Sequence, residues 1–132
     1  NTFIQSPKLL DEFLRFKAQS NVMFAGQISG CEGYVESANT GMLAGYYASC
    51  LIKNQTPIMP PRTSATGAML GHLLDDTADY QPMNINFGVF PTIQGEITSN
   101  GKFRKIKGAD RKEAYCRRAL ADFAQWLEQI NV

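Results

Sequence analysis

The sequence predicts an α/β fold dominated by helices, and three observations carry that prediction. A brief apolar run, Val22 to Ala25, leads through a glycine-rich turn into a long helix-forming stretch. Two later segments place apolar residues at helical spacing behind helix-start signals. Between them Met83, Ile85, Phe87 and Val89 alternate strictly, the period of a half-buried extended strand.

Taken in order, Ser6-Pro7 is a capping hydroxyl followed by proline at the first helical position. With Leu9, Leu10, Phe13 and Leu14 at helical spacing, it predicts an amphipathic helix over about residues 7–17. Val22 to Ala25, closed by Gly26, reads as a buried strand expected to join a parallel sheet supplied largely from outside the chain. Gly26, Gly30 and Gly33 then permit a tight turn, and a helix follows from about Tyr34 to Lys53. Along it Ala38, Gly41, Gly45 and Ala48 form one stripe of very small residues. A glycine inside a helix costs about 1 kcal/mol relative to alanine, so close approach of a sheet or second helix is expected along that stripe.

Pro57, Pro60 and Pro61 break the chain, and Thr63 or Ser64 caps a third helix that turns Met69, Leu70, Leu73 and Leu74 inward and ends near Asp75. After the alternating segment, residues 96–107 contain Asn100-Gly101 and little periodicity, predicting a turn within an exposed, mobile, basic loop. Asp110 and Glu113 open the last helix, expected over about 110–130. Its apolar face would be Cys116, Leu120, Phe123, Leu127 and Ile130, leaving Arg111, Lys112, Arg117 and Arg118 off the stripe.

A chain of 132 residues, 44% of them hydrophobic, is long enough for one core. It has no apolar run of about 18 residues, and Asn1 to Leu10 lacks the basic flank and apolar stretch of a signal peptide. Neither membrane association nor secretion is therefore expected, and a cytoplasmic location is. Cys31, Cys50 and Cys116 form no CxxC pair and read as packed free thiols of a reducing compartment. With a single histidine, His72, no cluster with metal-ligand spacing can be assembled. His72 itself, near a helix end, reads as a surface residue favoured by the helix dipole, the alternative being the rim of a ligand pocket.

The net charge of +1 hides an asymmetry: residues 1–101 carry five Lys or Arg against eight Asp or Glu, and residues 102–132 carry eight against four. Lys102, Arg104, Lys105, Lys107, Arg111 and Lys112 are accordingly candidates for holding phosphates, weighed against a merely solvated loop and helix face. A second candidate site is the glycine turn. A strand, a tight turn and a helix start in that order present free backbone amides and the positive end of a helix dipole to an anionic or electron-rich oxygen, as nucleotide cofactors require.

The string FAGQISGCEGYVESANTGMLAG, Phe24 to Gly45, resembles the late FAD-contacting motif of the bacterial folate- and FAD-dependent tRNA uracil-5-methyltransferases. NTFIQSPKLL before it, PPRTSATGAMLGHLL after it and QPMNINFGVFP further on look like the same family in the same order, so the resemblance covers most of residues 1–91 and fades beyond. A sibling family, the tRNA wobble-uridine carboxymethylaminomethyl enzymes, shares the glycine turn but continues with a TTGYEEAA-like stretch where this chain has CEGYVESA. The methyltransferase is favoured on that difference.

The resemblance implies a Rossmann-type FAD-binding fold of which this chain is the helix-dominated carboxyl-terminal portion. Its amino-terminal dinucleotide-binding part is absent, since no GxGxxG fingerprint occurs here. Residues 1–57 would be the closing strand and helix of the FAD-binding domain and residues 58–132 a carboxyl-terminal helical region with the basic loop. The implied cofactors are FAD, with methylenetetrahydrofolate and NAD(P)H as co-substrates of the full enzyme. The implied partners are tRNA and the amino-terminal remainder, with self-association expected of the piece alone. Gly26 and Gln27 would lie against the flavin, the turn from Gly30 through Gly33 to Tyr34 would bring helix amides toward the ring system, and Tyr34 would line the folate or base side. Glu36 is equally explained by the helix dipole, Cys31 reads as an apolar filler, and no catalytic residue is assigned within the chain. The competing expectation is a non-catalytic module that binds RNA or protein through the basic segment.

Overall fold

The computed structural model describes residues 2–131. The elements are α1 (Ser6–Leu9), β1 (Arg15–Phe16), β2 (Gln19–Met23), α2 (Tyr34–Ile52), α3 (Ala65–Leu74), β3 (Gly95–Ile97), β4 (Phe103–Lys105) and α4 (Gly108–Gln129), with single 3-10 turns at Gln27–Ser29 and Phe87–Val89. The fold is mixed α/β and rich in helix, as the sequence predicts.

The first helix ends much earlier than residue 17. Asp11 offers the chain a competing set of bonds: its Oδ1 accepts the N–H groups of Phe13 and Arg15 at 2.9 and 3.0 Å, and its Oδ2 pairs with Arg15 Nε at 2.7 Å. Leu14 then takes a φ of +62° and is completely buried. Beyond this turn the expected strand at Val22–Ala25 is found three residues earlier. It runs antiparallel to β1, with Arg15 opposite Met23 and Phe16 opposite Gln19. The expectation of a parallel sheet is corrected for the described residues: both sheets are two-stranded antiparallel hairpins.

Helices α2 and α3 stand where their sequence signals put them. Ser64 caps α3 by accepting the Gly67 N–H at 3.0 Å, and Met69, Leu70 and Leu73 are buried. Asn39 and Thr66 exchange hydrogen bonds of 2.9 and 3.1 Å between the two helices. The stripe of small residues on α2 is another matter. A Cβ built on Gly41 or Gly45 meets nothing within 4 Å, and Ala38, Gly41 and Gly45 are all exposed. Close packing is absent there among the described residues.

The alternating segment does not become a strand. Met83 forms one parallel bridge with Cys31, and the Asn86 side chain then accepts the Gly88 N–H at 2.9 Å, bending the backbone into the 3-10 turn. Residues 96–107, expected as an irregular loop, instead form the β3–β4 hairpin, with Ile97 opposite Phe103 and Gly95 opposite Lys105.

Helix α4 has the expected extent with a rotated face. Tyr115 and Trp126 are buried, Phe123, Leu127 and Ile130 are half-buried, and Cys116 and Leu120 are exposed, Leu120 by 73%. The two large rings, three turns apart, outweigh a cysteine and a leucine as anchors. Trp126 Nε1 donates to the Ile58 carbonyl at 2.9 Å, and its ring meets Tyr46 edge-on at 5.7 Å. One hydrophobic cluster joins Leu10, Leu14, Cys31, Leu43 and Tyr47 to Met69, Leu70, Leu73, Tyr80 and Trp126. It draws on both sides of Pro57.

Candidate functional site

Three glycines with positive φ shape the passage from β2 to α2: Gly26 at +76°, Gly30 at +108° and Gly33 at +99°. The Gly26 N–H donates to Thr40 Oγ1 at 2.9 Å, tying the start of the turn to the second turn of the helix. The Ser29 carbonyl fixes the middle, accepting the hydroxyls of Ser6 and Tyr80 at 2.5 Å each. At Gly30 an added Cβ would lie 2.0 Å from the Tyr80 hydroxyl oxygen, so the space left by its missing side chain is filled from inside the fold. Burial pushes that tyrosine's pKa up to about 12, keeping the hydroxyl a donor.

Gly33 is the N-cap of α2 and supplies no capping side chain, which leaves the Tyr34 and Val35 amides without a hydrogen-bond partner among the described residues. An acid does stand in the first turn, Glu36, and its carboxylate lies over Gly33, where an added Cβ would come 2.3 Å from its Oε2. It accepts the Ile85 N–H at 3.0 Å and approaches the Asn84 side-chain amide at 3.5 Å, while Asn84 also donates to the Glu32 carbonyl at 2.9 Å. Hydrogen bonds from its own N–H and then from that of Ile85 hold the Glu36 carboxyl below the usual range. The role sequence reading leaves open for Glu36 is thus filled by a bond that joins α2 to the segment around Ile85.

In front of the uncapped helix lies an open depression of about 270 Å³ lined by Gln27, Gly33, Tyr34 and Ser37. Of the candidate cofactor residues, Gln27, Gly33 and Tyr34 meet here. Gly26 stands just behind, where an added Cβ would come 3.7 Å from Ser37 Cβ, and Gly30 faces Tyr80. Tyr34 is 97% exposed. Ser37 is absent from the sequence-derived candidates, although its position four residues after Gly33, on the same face of the first helical turn, was signal enough to find it. Asn84 and Ile85 had no local signal, because their partner lies about fifty residues away in sequence.

Cys31 is fully buried, with a thiol pushed up by burial, and it accepts a long contact of 3.8 Å from the Ser29 hydroxyl. It is the apolar filler the sequence suggests. His72 is not the solvated residue expected. Its ring stacks on Tyr80 at 5.0 Å and 27°, its Nε2 is buried with no partner among the described residues, and burial pulls its pKa down. It lines a cavity of about 300 Å³ with Arg62, Gly71 and Asp75, where Arg62 and Asp75 form a two-pronged pair at 2.9 and 3.1 Å.

The structure divides the basic candidates. Lys102, Arg104, Lys105, Lys107 and Lys112 are exposed, with Arg104 paired to Glu96. Arg111 is half-buried: its guanidinium sits 5.8 Å over the Tyr115 ring and donates to its hydroxyl at 3.4 Å. Arg118 stacks on the same ring at 5.4 Å and donates to the Pro91 carbonyl. Both arginines, expected to point outward from α4, lie against Tyr115, whose ring meets Phe87 at 5.7 Å, and Arg118 also ties the helix to Pro91.

The first 56 residues, which hold the β1–β2 hairpin, the glycine turn and α2, match the family described as Glucose inhibited division protein A. Nearly the whole chain, those residues included, is similar to proteins named methylenetetrahydrofolate–tRNA-(uracil-5-)-methyltransferase TrmFO. That of Paramagnetospirillum magneticum is 47% identical over 99% of the chain, that of Rhizobium meliloti 45% over 98%, and that of Rhodopseudomonas palustris 44% over 98%. The chain is related to the TrmFO family along nearly its whole length, and the resemblance carried by Phe24 to Gly45 is borne out. Its expected fading after residue 91 is corrected by alignments that run almost end to end. The chain spans about 30% of the length of these relatives.

Proposed function

We propose that this chain is the carboxyl-terminal portion of a cytoplasmic, FAD-dependent enzyme that methylates carbon 5 of a T-loop uridine in tRNA, and that it supplies one wall of the flavin site and part of the tRNA surface. The observation that carries the reading is the uncapped start of α2 opening on Gln27, Gly33, Tyr34 and Ser37, with the nearby carboxylate of Glu36 committed to Ile85. Such a site offers the Tyr34 and Val35 amides and the positive end of a helix dipole to an electron-rich ring edge, beside a Glu36 carboxylate that is taken up by its own N–H and that of Ile85. The depression has room for part of a flat ring system, which suits a chain that forms one side of a Rossmann-type site while the dinucleotide cradle lies elsewhere.

Bound FAD, reduced by NAD(P)H, and methylenetetrahydrofolate would supply the redox and one-carbon chemistry. The residues of this chain bind and orient. Gly33 makes room for the Glu36 carboxylate and Asn84 amide beside the helix start, the Gln27 amide and Ser37 hydroxyl offer polar contacts at the rim, and the Tyr34 ring provides a flat apolar surface for the folate or base side. Cys31, buried and with its thiol disfavoured from ionising, is unsuited to attack a base. The family match ending at residue 56 is in keeping with a division near Pro57.

The same reading accounts for the bare face of α2. Tyr34, Ala38, Gly41, Gly45, Ala48 and Ile52 follow one another at helical spacing, and Tyr34 and Ile52 are 97% and 83% exposed. In the longer protein this stripe packs against the amino-terminal remainder, which the small residues allow to come close; in the piece alone it favours self-association. The competing reading, an RNA-binding module without redox chemistry, is favoured only by the exposed lysines near the hairpin. The relatives aligned over the whole chain favour the methyltransferase over its wobble-uridine sibling.

The test uses Tyr34→Trp in a protein of the relatives' full length. Since Tyr34 touches little in the fold, the variant should fold normally, and titrating flavin into the apoprotein should quench the emission contributed by the new indole. Emission that stays constant while flavin binds stoichiometrically contradicts the assignment.

A further inference from the structure

The β3–β4 hairpin has two unlike faces. On one, Glu96 and Arg104 stand opposite each other and form an ion pair, so their charges are satisfied. On the other lie Gly95, Ile97, Phe103 and Lys105. Here Ile97 and Phe103, a directly opposed pair, are 69% and 62% exposed, an unusual cost for two large apolar side chains on a short hairpin. The Phe103 ring is not loose. A Cβ on Gly95 would lie 2.5 Å from its Cζ and 2.7 Å from its Cε2, so the ring lies across the glycine in a place that any other residue would take. Lys105 shares this face, Lys102 and Lys107 flank the strand in sequence, and all three are exposed and form no ion pair among the described residues.

We propose that this face is a stacking platform for an unpaired nucleobase of an RNA, with Phe103 against the base and Lys102, Lys105 and Lys107 holding the phosphates beside it. The combination decides the class of partner. An apolar protein surface would satisfy Ile97 and Phe103 but bury uncompensated lysines beside them. A fully paired duplex would use the lysines and leave the ring idle. A single strand or an opened loop uses both, because every base has a face to stack and every nucleotide a phosphate to neutralise. Gly95 preorganises the ring, so little freedom is lost when a base arrives. The inference rests on the RNA half of the proposed function and is independent of the flavin half.

The experiment titrates a single-stranded oligouridylate, and separately an RNA duplex of equal length, into a protein of the relatives' full length. Phe103→Ala should weaken the single strand by roughly 5- to 100-fold and the duplex by less than about twofold. Lys105→Ala should weaken both alike and lower the slope of log affinity against log salt by about one. Phe103→Trp should keep single-strand binding, with its added emission quenched as RNA binds; it also guards against misfolding of the alanine variant. Equal loss of both RNAs in Phe103→Ala, or no loss of either while Lys105→Ala still acts, overturns the platform and leaves an RNA surface. An introduced indole whose emission is already blue-shifted and does not respond to RNA assigns the face to a protein contact and overturns it too. If Lys105→Ala also binds normally, the RNA half of the proposed function falls with the platform.

Discussion

The carboxylate of Glu36, in the first turn of α2, accepts the backbone N–H of Ile85 at 3.0 Å and thereby ties the helix start to a segment about fifty residues further along the chain. That bond does two things at once. It fixes the extended stretch on which Asn84 also bonds the Glu32 carbonyl, and it holds the one acidic side chain of the first helical turn over Gly33, where that carboxylate also takes its own N–H.

Replacing Glu36 by alanine should therefore destabilise the chain by about 1 kcal/mol, since a charge-assisted bond to a backbone donor is lost without leaving a deeply buried group behind. Glu36→Gln, which keeps an acceptor, should lose less. Urea unfolding gives the magnitude and amide exchange at Ile85 gives the location: faster exchange confined to residues 83–86 is the expected pattern, and unchanged exchange there would contradict the tie.

The glycines should separate into two classes. Gly30→Ala combines a φ of +108° with a Cβ 2.0 Å from the Tyr80 hydroxyl oxygen, and it should cost more than about 2 kcal/mol. Gly41→Ala and Gly45→Ala meet open space in this chain and should each stabilise it, by up to about 1 kcal/mol, through helix propensity. In a protein of the relatives' length the same two substitutions should instead lower the melting temperature, if the bare face of α2 is covered there. Thermal melts of both lengths provide the comparison, and stabilisation at both lengths would leave the face solvent-exposed.

His72 supplies a pH dependence. Burial against Tyr80 lowers its folded pKa below the ordinary value of about 6.5, so between the folded and unfolded values the unfolded chain holds a proton that the folded chain does not. The stability from the neutral ring is complete above about pH 6.5 and is lost as pH falls through the folded pKa, at no more than about 1.4 kcal/mol per pH unit. His72→Phe should flatten that part of a stability profile measured between pH 7.5 and pH 5, all on the order of the handover range of a histidine. A profile equally steep in the variant would place the titration elsewhere.

Among the basic residues, Arg111→Ala should act on stability and Lys112→Ala on charge alone. Arg111 packs on the buried Tyr115, whereas Lys112 is exposed. Denaturant midpoints should fall for the first and stay within about 0.5 kcal/mol of the parent for the second, while affinity for RNA at low salt should fall for the second. A stable Arg111→Ala protein would mean that the stack on Tyr115 contributes nothing.

How much of this was legible beforehand follows from the range of the forces involved. Helices α2 and α3, and the extent of α4, are set by caps and periodicity within a few turns of chain, and the sequence shows them directly. The glycine turn is equally local. The features it hides are those decided by distant or competing partners. Asp11 diverts the chain from helix to turn by capturing the amides of Phe13 and Arg15. Asn86 breaks an alternation that otherwise has the right period, and Tyr115 and Trp126 rotate α4 because rings from other segments receive them. The candidate site was legible in its turn, Gln27 and Gly33 to Tyr34, and illegible in what holds that turn, since Tyr80 and Ile85 carry no sequence mark of their partnership with it.

The central claim is that the amides at the start of α2 lie beside a flavin. Its most direct measurement is the distance from the Tyr34 and Val35 backbone nitrogens to the isoalloxazine ring in a crystal structure of a full-length protein carrying this chain with FAD bound. The account predicts contact at about 3 to 4 Å; a ring lying on the far side of the fold, with Gln27, Gly33 and Ser37 still open to solvent, would contradict it.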